Sequence, residues 1–186
     1  MAETLWDWLG EHLAVDVLNT VQRRGDVTHE LLNEPQDLSS WLGHQAHRAP
    51  VPEPVDAELL EEFVAVRDAA LNLARASVKG RLLPGADVET INVIASRSPI
   101  PRLLGTHAGA AVIPPSRSGS QRDDLLATLA AAIIDLLSDP NLRDLSFCDA
   151  PSCGQYFHRS RPNQRWCCAR CGDRARSARS YRGPQR

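Results

Sequence analysis

The first 147 residues hold no cysteine, and nowhere does the chain carry an apolar run approaching the twenty residues that a membrane span needs. Neither a GxSxG elbow nor a phosphate-cradling glycine loop occurs, and the six histidines are scattered, so nucleophilic and nucleotide-driven catalysis find no purchase. An enzyme is not expected. The opening MAETLWDWLGEHL lacks the basic region and cleavage signal of an export peptide, which leads to the expectation of a soluble, cytoplasmic protein. No internal repeat is present. At 186 residues and 42% hydrophobic content there is room for one ordinary domain and a small module beside it.

All five cysteines fall in the remaining stretch, as Cys148, Cys153, Cys167, Cys168 and Cys171. Two close pairs joined by a short polar loop is how one divalent metal gathers four ligands, and an all-thiolate tetrahedral site suits Zn2+. A disulfide framework is the weaker reading, because clustered cysteines without a secretory signal point to metal or redox chemistry. By spacing alone, Cys171 pairs either with Cys167 across three residues or with Cys168 across two, and the CxxC rule favours Cys168. The cysteine left over could be an inert thiol, a reactive thiolate, or a ligand that swaps in on oxidation.

Charge follows the same division. From Cys148 onward there are nine arginines, two aspartates and no lysine, a balance of +7. The overall −2 therefore leaves −9 on the first 147 residues, and a mildly acidic whole hides a basic end suited to a polyanion. Arg170, Arg174, Arg176, Arg179 and Arg182 recur at steps of two to four in a stretch rich in Ala and Ser, which predicts a helix from near Cys168 to Gly183-Pro184. Cys171, Ala175 and Ala178 would form its inner face. Arg165 and the five helix arginines are the candidate nucleic-acid contacts, since guanidinium grips phosphate and guanine in two-pronged fashion. A solvated basic tail is the bland alternative.

The segment WCCARCGDRARSARSYR resembles the CGNR zinc finger of bacterial regulators, in which Trp-Cys precedes a second Cys followed by Gly-Asn-Arg. The resemblance implies that Cys148, Cys153, Cys167 and Cys171 are the ligands and that Cys168 stands outside, with Asp173 in place of the family's Asn. Near the front, GEHLAVDVLNTV and the following Gln22-Arg23-Arg24-Gly25 resemble the HLALDFVNT signature of the ABATE domain, which accompanies that finger. LLNEPQDLSSWL, from Leu31 to Leu42, resembles a later segment of the same family. Together these imply a zinc-dependent transcription regulator that binds DNA.

The front segment also reads as a helix on its own terms. Within Leu5 to Val21, the apolar positions Leu13, Val17 and Val21 make one buried stripe, and His12, Asp16, Asn19 and Arg23 make a polar row. That row is either the wall of a pocket for a small-molecule effector or a buried network that fixes helix packing, and the second reading is preferred. Helices are also predicted to start at Pro35 with Asp37, to run from Asp56 to Lys79, from Asp87 to Ser96, and from Arg122 to Ser138. The last of these is apolar nearly all round and therefore central. The proline-rich HRAPVPEPVD cannot be helix, and Leu103 to Pro115 carries the alternation of a small β-hairpin.

The expected fold is mainly α: a helical domain over residues 1–140, with a small hairpin, and a treble-clef or ribbon-like zinc finger over residues 145–186 that ends in a basic helix. DNA is the expected partner, RNA or an acidic protein the alternative. One short finger reads few base pairs, and a homodimer would double that footprint, although the sequence does not fix the oligomeric state.

Overall fold

The computed structural model describes residues 12–24, 27–99, 103–104, 112–113, 120–139 and 144–181. Among them the chain is mainly helical, with three separate two-stranded antiparallel sheets. No described helix is long and apolar enough to cross a membrane.

Helix α1 is short, Leu13–Leu18, with every residue buried. The His12 side chain caps it by accepting from Ala14 N. The sequence predicts this helix to continue to Val21, but it stops at Leu18. Thr20 is turned back so that its hydroxyl donates to Val17 O, and Val21 opens a strand instead. Strand β1, Val21–Arg24, pairs with β2, Val27–Glu30, in a hairpin absent from the sequence reading. Its outer residues Val27, Thr28 and His29 are exposed, so no apolar alternation marked it as a strand. The hairpin is tied to the body by the buried Arg67, which donates to Glu30 at 2.7 Å.

The remaining helices lie close to where composition places them. Helix α2, Pro35–Gln45, begins with a proline and a reciprocal capping box between Glu34 and Asp37. Helix α3, Ala57–Val78, is capped by Asp56, whose carboxylate accepts from Leu59 N at 2.8 Å. Helix α4 spans Gly85–Arg97, and α5 spans Gln121–Ser138 with Ser120 as its cap. Between them β3, Leu103–Leu104, pairs with β4, Val112–Ile113, within the predicted hairpin segment.

Helix α5 is the centre of the bundle and touches α1, α3 and α4. Its Leu125, Leu126, Leu129 and Ile133 are fully buried, together with Leu59, Phe63 and Leu73 of α3 and Trp41 of α2. Trp41 and Phe63 meet edge to face at 5.2 Å.

Strands β5, Leu145–Phe147, and β6, Tyr156–His158, form the third hairpin, followed by α6, Ala169–Tyr181. Here a second, smaller cluster forms from Cys148, Ala150, Cys153, Phe157 and Cys171, with Trp166 and Cys167 against it. The hairpin faces both ways: Leu145 and Tyr156 belong to the larger helical core, while Phe157 belongs to the smaller one.

Candidate metal centre

The turn joining β5 to β6 carries the first two thiols. Cys148 follows the last residue of β5, and its amide donates to Gln155 O at 2.9 Å, while Cys153 N donates to Ala150 O at 3.1 Å. The chain reverses through Ser152 at φ 60° and Gly154 at φ 76°. Glycine takes that conformation without cost; for Ser152 it is a local strain held by the surrounding turn. The second pair comes from the start of α6, with Cys167 two residues before the helix and Cys171 in its first turn.

The sulfurs of Cys148, Cys153, Cys167 and Cys171 all lie within 4.8 Å of one another. Cys167 is 3.6 Å from Cys153 and 3.4 Å from Cys171. Zinc–sulfur bonds of about 2.3 Å in a tetrahedron imply sulfur–sulfur edges of about 3.8 Å, so the four thiols fit a closed zinc site. Three of them are buried and Cys167 is half-buried. Cys168, which the CxxC rule would select, is exposed and outside the cluster.

As thiols, these groups hydrogen-bond to one another. The Cys153 and Cys167 thiols donate to Cys148 and hold its pKa far below the ordinary thiol value. Donation to Cys148 pushes Cys153 and Cys167 the other way, with burial adding to the effect. Cys148 also accepts the Cys167 amide at 3.4 Å. A divalent metal would replace these shared protons and bind all four sulfurs as thiolates, releasing protons as it loads.

The arginine-rich helix grows directly from this site. Cys171, Gly172 and Ala175 face inward and are buried, and Ala178 is half-buried, matching the inner face expected for the helix. Arg165, Arg170, Arg174, Arg176 and Arg179 are all exposed, but their engagements differ. Arg174 donates to the Cys171 sulfur at 2.9 Å. Arg176 pairs with Asp173 three residues earlier. The guanidinium carbons of Arg165 and Arg179 each lie 5.9 Å from the Trp166 ring centre. Arg170 has no side-chain partner among the described residues. Arg182 lies outside the described residues.

The polar row of the front segment is divided by the structure. Asp16 is buried and paired with Arg48, with Gln45 donating to it at 3.4 Å. Burial raises its pKa against the pull of Arg48. His12 lies close enough to sense Asp16, Asp135 and Arg48, and burial lowers its pKa. Asn19 points elsewhere: its side-chain amide donates to Tyr156 O at 2.9 Å and its carbonyl accepts from Tyr156 N at 2.8 Å. Arg23 sits in β1, and its side chain lies outside the description. Arg48 and Gln45 escaped the sequence reading because nothing local marks a partner some thirty residues away. An apolar cavity of about 200 Å³ opens between α4 and α5, lined by Val88, Ile91, Ile133 and Leu137 among others, and His12, Asp16 and Asn19 do not border it.

The sequence model of the ABATE family, described as "Putative stress-induced transcription regulator", matches residues 11–140. No curated protein matches the chain.

Proposed function

The chain belongs to the ABATE family, matched over more than half of its length, and from that premise we propose that it is a zinc-dependent DNA-binding transcription regulator. The observation that carries the reading is the four-sulfur cluster at the root of an arginine-rich helix. Zinc held by Cys148, Cys153, Cys167 and Cys171 clamps the hairpin turn to the start of α6. The clamp gives the helix a stiff base. A helix of 13 residues is about 20 Å long, enough to lie in or across a groove. A closed four-thiolate site serves structure, since it leaves no position for an activated water.

The two expected units, residues 1–140 and 145–186, then divide the work. The acidic helical unit receives a signal or dimerises, and the basic unit holds the duplex, with Arg170 the least encumbered of the described helix arginines. RNA and an acidic protein are the competing partners.

The test uses the zinc-loaded full chain and a labelled DNA duplex, with unlabelled duplex, structured RNA and heparin as competitors. Duplex DNA is expected to displace the probe at the lowest concentration, and Arg170→Ala is expected to flatten the slope of log affinity against log salt by about one unit. Displacement led by RNA would replace the DNA reading. Removal of zinc that left duplex affinity unchanged would refute it.

A further inference from the structure

We infer that Arg174 is a positioning residue of the metal site, the charge-compensating partner of the Cys171 sulfur, and not one of the helix's contacts to a polyanion. The inference rests on the zinc half of the proposed function and is independent of which polymer the protein binds. Its Nη2 lies 2.9 Å from Cys171 Sγ. Side chains on a helix lean toward its N-terminus and cover the turn before them, so an arginine three residues after a ligand falls back over that ligand. The pattern Cys171-Gly172-Asp173-Arg174 is that arrangement.

Charge supplies the reason for a cation there. Four thiolates around a divalent ion leave the site with a net −2, and three of the sulfurs are buried. A guanidinium hydrogen bond to a thiolate is charge-assisted, offsets part of that excess and fixes the direction of the sulfur's lone pairs. No other described arginine of α6 donates to a cluster sulfur: Arg176 goes to Asp173, Arg179 donates to Ala175 O beside Trp166, and Arg170, one turn earlier, reaches none of them. Position on one short helix thus separates arginines of identical chemistry into different roles.

The experiment compares Arg174→Ala, Arg174→Lys and Arg170→Ala in the full chain. Zinc affinity is read by chelator competition, the thiolate charge-transfer band by cobalt substitution, and folding by circular dichroism. Arg174→Ala is expected to lose about 10–100-fold in zinc affinity and to shift the cobalt band, as removal of a partner behind a metal ligand does elsewhere. Arg174→Lys is expected to fall between it and the native protein, since it keeps the charge and loses the planar fork. Arg170→Ala is expected to keep native zinc affinity. In the zinc-saturated state, Arg174→Ala should retain the native salt slope on duplex DNA while Arg170→Ala flattens it, so failure of this inference and failure of the DNA reading give different patterns. Zinc affinity of Arg174→Ala within about twofold of native, or an equal loss in Arg170→Ala, overturns the proposal.

Discussion

Asn19 joins two parts of the chain that are 137 residues apart, with both ends of its amide engaged by the backbone of Tyr156. The side chain stands in for a neighbouring strand and satisfies an N–H and a C=O that are otherwise sealed from water. Asn19→Ala would leave both groups buried and unpaired, at about 1–3 kcal/mol each. The expected loss is about 2–6 kcal/mol in urea unfolding, with Asn19→Asp no better, because a carboxylate cannot donate to the carbonyl and adds a buried charge. A loss below about 0.5 kcal/mol would mean that the link is idle. The spacing of His12, Asp16, Asn19 and Arg23 was legible as one polar row, and the preferred reading of that row was a buried network. What it could not convey is that Asp16 turns to Arg48 while Asn19 turns to Tyr156. Those partners lie across proline-rich and loop segments whose direction no local pattern fixes.

Whole elements were read with more success where a cap and an apolar rhythm coincided. Asp56 and the leucines behind it fixed α3 to within a residue at each end, and the nearly unbroken apolar run of α5 marked it as central. The β1–β2 hairpin escaped because Val27, Thr28 and His29 are all exposed, so no alternation of apolar and polar residues runs along β2. In α6 the arginine spacing was plain, but not which arginines are already engaged. Asp173 holds Arg176 in a pair whose two side chains are 68% and 62% exposed. Such a pair adds little stability, so Asp173→Asn should leave the helix melting almost unchanged. It removes a negative charge from the basic face and releases a guanidinium. Duplex affinity should therefore rise, most at low salt, with a salt slope steeper by up to about one unit in anisotropy titrations. Weaker binding would assign Asp173 a direct role instead, because a carboxylate in the major groove accepts from cytosine.

At the scale of the molecule, the β5–β6 hairpin is common to both hydrophobic clusters. Leu145 and Tyr156 complete the helical core, while Cys148 and Cys153 lie on the turn between the same two strands. Phe147 and Tyr156 pack edge to face at 5.4 Å across it. A metal that fixes this turn therefore also holds two residues of the larger core in register, and the helical body should sense its loss. Binding to the folded state alone stabilises by about 2.7 kcal/mol when free zinc exceeds its dissociation constant a hundredfold. For a chain of this size about 2–4 °C accompanies each kcal/mol. Stripping zinc from the full chain with a chelator should thus lower the melting temperature of the helical circular dichroism signal by roughly 5–10 °C. Cys171→Ser should bring about a similar fall, and excess zinc should restore the chelated native protein but not the variant. A helical transition that held its temperature while the metal was removed would show that the hairpin's hold on the core survives without the clamp, and that the two clusters melt as independent units.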